Sequence, residues 1–101
     1  MFKKSIKLLC LLASAQAISL QADTRDANAL FDAHCFSCHG TGWQAAPVIG
    51  DSFAWEERRA KGMDVLLQNT LQGLNAMPPK GSCSDCTEDE LLAIIQLLIA
   101  E

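Results

Sequence analysis

Apolar residues recur along this chain at helical spacing, in short runs separated by polar stretches and by glycine and proline. Ala27, Leu30, Phe31 and His34 fall on one face of a helix that Asp23 or Thr24 can cap. A polar stretch from Ser52 to Lys61 predicts a second helix, stopped by Gly62. Val65, Leu67, Leu71 and Leu74 give a third its inner side, with Gly73 weakening its end. The last helix opens on a capping box, Thr87 with Glu90, and the acids of its first turn suit the helix dipole. From Leu91 to Ala100 only Gln96 is polar. Leu91, Ile94, Ile95 and Leu98 form the inward stripe of that helix, and Leu92 and Ile99 fall outside it. Gly40, Gly42, Pro47 and Gly50 mark a long loop, and Pro78 followed by Pro79 excludes helix at Met77. No segment alternates with the period of a strand. The pattern predicts an all-α chain with long loops.

The amino terminus has a different character. Lys3, Lys4 and Lys7 precede an apolar run from Leu8 to Ala15, and small residues follow at Ala15 and Ala17. These are the three parts of a secretory signal peptide, and the run is shorter than the roughly 20 residues a membrane span requires. Residues 1–22 are expected to be cleaved, after Ala17 or Ala22, taking Cys10 with them and leaving residues 23–101 as one domain. Of the 8 basic and 12 acidic residues in the chain, three lysines and no acid leave with the leader. The remainder carries a formal charge of −7, which disfavours nucleic acid and anionic lipid and favours a partner that presents a basic docking patch. A domain this small needs a disulfide, metal or cofactor to hold it together.

Four cysteines remain after cleavage, in two C-x-x-C pairs, and the first is followed directly by a histidine: Cys35-Phe36-Ser37-Cys38-His39. Two thiols at that spacing reach the two vinyl groups of one haem, with the adjacent histidine beneath the iron. A redox dithiol would sit beside a βαβ pattern, which is missing. A zinc site would draw two more ligands, which Cys83 and Cys86 can supply. Only haem uses the adjacent histidine. For the second axial position, Met63 follows Gly62 at a helix start, where methionine commonly fills core, whereas Met77 lies in a loop stiffened by two prolines. His34 is too close to Cys35 to reach the far haem face.

The order of these elements carries a resemblance. Cys-Phe-Ser-Cys-His, then Ala46-Pro47-Val48-Ile49-Gly50-Asp51, Trp55-Glu56-Glu57-Arg58, Lys61-Gly62-Met63-Asp64, Asn75-Ala76-Met77-Pro78-Pro79-Lys80-Gly81 and Cys83-x-x-Cys86 resemble a class I cytochrome c, and more narrowly the bacterial cytochrome c5 family. The resemblance implies a small fold of helices around one covalently bound haem c, its iron ligated by His39 and Met77. It implies that Cys83 and Cys86 pair as a disulfide, that the Pro47 carbonyl accepts the His39 Nδ1 proton, and that Trp55 and Arg58 lie near the haem propionates. One departure is visible: the family's aromatic near the end of the last helix, packed beside a residue like Phe31, is replaced by Gln96-Leu97-Leu98-Ile99. Two strong axial ligands leave no open iron position, so the expected function is that of a periplasmic one-electron carrier between respiratory complexes, a monomer or weak dimer, and not an enzyme. The alternatives are a five-coordinate haem sensor or peroxidase-like protein with Met77 off the iron, and a zinc-stabilised binding module.

Overall fold

The computed structural model describes residues 24–101. The leader expected over residues 1–22 and the capping role offered to Asp23 lie outside them. Five helices follow in order: α1 (Ala27–His34), α2 (Phe36–His39), α3 (Ser52–Ala60), α4 (Met63–Gln72) and α5 (Glu88–Ile99). Among the described residues no strand forms, and an isolated bridge between Leu74 and Met77 closes a loop.

α1 begins later than the sequence suggested. Its cap is Asp26, whose carboxylate accepts from the Asn28 N–H at 3.2 Å. Arg25, just before the cap, is bonded through its N–H and guanidinium to Glu90 at the start of α5. α1 then runs into α2 with a break at Cys35, whose N–H still donates to Phe31 at 2.8 Å. α3 is capped by Asp51 and ends at Lys61, before Gly62 at φ +90°. The inner side of α4 also differs from expectation. Leu66 is buried with Leu67 and Leu71 beside the core, whereas Val65 and Leu74 are exposed. Gly73, at φ +81°, ends the helix and takes Leu74 out of helical register.

α5 is the helix on which the others assemble, packing against α1, α3 and α4. The capping box at its start forms as read from the sequence: Glu90 N–H donates to Thr87 Oγ1 at 3.2 Å, and Thr87 N–H donates to Glu90 Oε1 at 3.0 Å. Leu91, Ile94, Ile95 and Leu98 are all buried, each worth roughly 1.5–3 kcal/mol of transfer free energy. Phe31 shares one cluster with Leu91, Ile94 and Leu98, so aliphatic side chains fill the place where the resemblance expects a ring. Phe31 instead meets Phe36 edge-to-face, ring centres 6.2 Å apart. Ile99 packs against the same core and Leu92 is half-buried. Both ends of α5 are tied down by arginines. Arg25 grips Glu90 at the start, and Arg59 donates to the Ile99 carbonyl at 2.6 Å and to Glu101 at 3.1 Å at the finish. The second contact satisfies a terminal helix carbonyl that has no partner within the helix.

Candidate functional site

Four successive residues of the loop between α2 and α3 are tied down, two of them to His39 and the others to Trp55 and Leu98. Pro47 accepts from His39 Nδ1 at 2.8 Å and Val48 accepts from Trp55 Nε1 at 2.8 Å. Ile49 N–H donates to the His39 carbonyl at 2.8 Å, and Gly50 N–H donates to Leu98 at 3.1 Å. A carbonyl can only accept, so Nδ1 carries the proton and Nε2 keeps its lone pair, the tautomer in which imidazole ligates a metal. His39 is buried, and its ring lies 6.0 Å from that of buried Trp55.

Cys35 and Cys38 are unpaired and half-buried, held by the short helix that carries His39. Burial pushes the Cys35 thiol up, and the neighbouring Cys38 adds to the shift.

The second loop of the site follows α4. Leu74 and Met77 exchange backbone hydrogen bonds at 3.1 and 2.9 Å, folding Asn75 and Ala76 into a tight turn. Gly73 makes the turn possible: a Cβ on it would stand 2.8 Å from the Met77 carbonyl oxygen and 3.0 Å from the Pro79 nitrogen. Cys83 and Cys86, both buried, form a disulfide just beyond. Lys80 links the two parts, accepting from Cys83 N–H at 3.0 Å and donating through Nζ to the Cys86 carbonyl at 3.3 Å.

Between these loops and α5 lies a cavity of about 610 Å³, within the ~300–1,000 Å³ common for cofactor sites. Cys35, Cys38, His39, Pro47, Trp55, Arg58 and Met77 all line it. Its walls are the apolar side chains of Leu66, Leu91, Ile94, Ile95 and Leu98. Met63 is half-buried and lies elsewhere; His34 is at the wall. Two further features of the cavity are visible only in three dimensions. Every non-glycine residue with positive φ among those described, namely Gln44, Ala45, Asn75, Lys80 and Ser82, lines it. Such conformations cost of order 1–3 kcal/mol each and gather where a ligand is gripped. The cations are also sorted. Arg25 and Arg59 are engaged in ion pairs with Asp85, Glu90 and Glu101, whereas Arg58, Lys61 and Lys80 line the cavity. Lys61 and Lys80 were not singled out by the sequence, although Lys80 stands inside the Met-Pro-Pro-Lys-Gly run. The Arg25–Glu90 pair joins residues 65 apart and leaves no local signal.

Two thiols, a buried imidazole with a free Nε2, a thioether, an apolar interior and a cationic rim are a donor set that fits haem, a flat apolar macrocycle with two vinyl groups and two carboxylates. The comparisons with known proteins agree. The family model for cytochrome C oxidase, cbb3-type, subunit III, matches residues 22–98. Cytochrome c5 of Ectopseudomonas mendocina is 46% identical over 82 residues, which are 79% of this chain and 94% of that protein. A mono-heme ferrocytochrome c from Shewanella putrefaciens superposes with a TM-score of 0.69 at 42% identity, covering 75% of this chain and 94% of its own. A chain in an electron transfer complex of nitrite reductase with cytochrome c gives a TM-score of 0.68 at 36% identity, covering 72% and 89%. The chain therefore belongs to the class I cytochromes c. Within that class it resembles cytochrome c5, and its cofactor is covalently bound haem c with its iron.

Proposed function

We propose that this protein is an exported, periplasmic one-electron carrier whose haem is thioether-bonded to Cys35 and Cys38 and ligated by His39 and Met77, passing electrons between respiratory complexes. The observation that carries the reading is the meeting of one imidazole and one thioether in the cavity that the two thiols line. When bound, haem supplies a single iron that alternates between ferrous and ferric. His39, oriented by Pro47, offers Nε2 to it. Met77 would hold the iron through its thioether as a second ligand, which would raise the potential. The side chains of α5 and Leu66 exclude water, and Arg58 balances the propionates with Trp55 beside it. An iron held by both His39 and Met77 would supply electron exchange and leave no position for substrate.

Export is supported by the lysine-rich start and short apolar run of residues 1–22, and no helix among the described residues is long and apolar enough to cross a membrane. A protein redox partner is supported by the complex with nitrite reductase that a structural relative forms. The formal charge of residues 23–101, five basic against twelve acidic side chains, favours a partner with a basic patch. The Cys83–Cys86 disulfide serves a structural role, holding the Met77 loop against the start of α5. Haem that stays with the chain through acid–acetone extraction and denaturing electrophoresis, and is lost in a Cys35→Ala, Cys38→Ala double variant, is the expected result. A colourless, folded protein from a host with working c-type maturation would overturn the reading.

A further inference from the structure

α3 presents two working faces. Trp55 and Arg58 line the haem cavity, while Phe53, Glu56 and Ala60 lie along the outer side at spacings of three and four residues, with Glu57 on the border between them. Phe53 is 88% exposed, more than any other large apolar side chain among those described, and no core contact uses it. It borders a shallow hollow of about 220 Å³ lined also by Ala54, Glu56, Glu57 and Arg58. Glu57 and Arg58 line the haem cavity as well, so a body seated over Phe53 reaches the cavity lip. Two carboxylates, Glu56 and Glu57, stand here against Arg58 as the one cation of the hollow, so the face stays net negative. Arg59 is paired with Glu101, and the Arg58 guanidinium folds back to the Ala54 carbonyl at 2.6 Å.

We propose that this face of α3 is a docking surface for a redox protein that presents an apolar recess ringed by lysine or arginine, with Phe53 as the anchor and Glu56 and Glu57 as the rim. The proposal rests on the electron-carrier reading above. A lone exposed aromatic needs no explanation by itself. Here the ring stands within carboxylates and is continuous with the cavity that holds the redox centre. A buried aromatic anchor inside a charged rim is the arrangement in which the ring sets residence time and the charges set the rate of encounter. A second copy of this chain does not suit the surface, because a two-fold contact would place Glu56 and Glu57 against their own counterparts.

The test is stopped-flow oxidation of the reduced, mature holoprotein by a lysine-rich cytochrome c of high isoelectric point, with ferricyanide as a small oxidant that needs no docking surface. At low salt Phe53→Ser should slow the protein reaction about fivefold or more. Glu56→Gln should slow it roughly two- to threefold, an effect that fades as salt screens the charge. Both variants should react with ferricyanide at the wild-type rate. Wild-type protein rates in both variants would overturn the proposal. So would a loss confined to Glu88→Gln and Asp89→Asn, which would place docking at the start of α5. A dimer in sedimentation that Phe53→Ser abolishes would make a second copy the occupant and overturn it equally. Failure of ferricyanide to oxidise the wild type would instead sink the electron-carrier reading itself.

Discussion

Gly73→Ala tests how Met77, the proposed second iron ligand, is held. Gly73 sits at φ +81° and ψ +157°, a region that essentially only glycine occupies. Gly62 sits in the same region, at φ +90° and ψ +159°, but a Cβ there would meet nothing within 4 Å. Each alanine therefore carries about 1–3 kcal/mol of backbone strain. Only at residue 73 does the methyl also reach 2.8 Å from the Met77 carbonyl oxygen, 3.0 Å from Pro79 N and 3.2 Å from Pro78 C. These are backbone atoms of a segment stiffened by two prolines, so the loop must move as a body and carry Met77 with it. Domains of this size hold ~4–12 kcal/mol at about 0.05–0.15 kcal/mol per residue, so both variants should still fold. Denaturant unfolding should show Gly62→Ala down by about 1–3 kcal/mol and Gly73→Ala down by roughly 1–2 kcal/mol more. The decisive reading is the weak far-red band that sulfur ligation gives the ferric protein. It should persist in Gly62→Ala and fall or vanish in Gly73→Ala. Equal losses of stability together with an intact band in both would refute the reasoning.

The grip of Arg25 on Glu90 predicts a pH dependence. Hydrogen bonds from the Arg25 side chain, then from the Thr87 and Arg25 backbone N–H groups, hold the Glu90 carboxyl well below the usual carboxylate range. A carboxyl depressed in the folded state stabilises above its unfolded pKa, about 4.3, and that contribution is lost as pH falls below it. Glu90→Gln keeps an acceptor for Thr87 and loses the charge, so its melting temperature should lie below wild type at pH 7 and the gap should narrow toward pH 3; a gap independent of pH would contradict the account. The disulfide should matter for stability and little for potential. Because the Cys83–Cys86 loop is short, a double serine variant should lose about 1–3 kcal/mol in urea unfolding and retain haem with a nearly unchanged midpoint. Normal stability with loss of electron transfer would assign the pair a redox role.

Much of the fold was legible because its signals are local. The capping box at Thr87, the stop at Gly62 and the inward stripe of α5 each depend on residues within one or two turns. The lining of the cavity was legible for a related reason: C-x-x-C-H is contiguous, and the Met77 loop announces itself by its prolines. What escaped notice depends on long-range partners. The contact of Arg25 with Glu90, beside the start of α1, joins residues far apart along the chain. The inner side of α4 was misread because Val65, Leu66 and Leu67 are all apolar, so periodicity alone cannot choose among them, and burial against the neighbouring helices selects Leu66. The strap formed by residues 47–50 has only one contact that family resemblance suggested. Its other bonds, to Trp55, the His39 carbonyl and Leu98, use backbone groups that carry no sequence identity.

The central claim is that the iron is closed by His39 on one side and Met77 on the other, and exposure of the ferrous holoprotein to carbon monoxide tests it most directly. The account predicts that the visible spectrum of the wild type stays unchanged under carbon monoxide at neutral pH. Met63→Leu should behave as the wild type, whereas Met77→Ala should bind carbon monoxide at once and show a lowered potential. Ready formation of a carbon monoxide complex by the wild type, or by Met63→Leu with Met77→Ala inert, would contradict it.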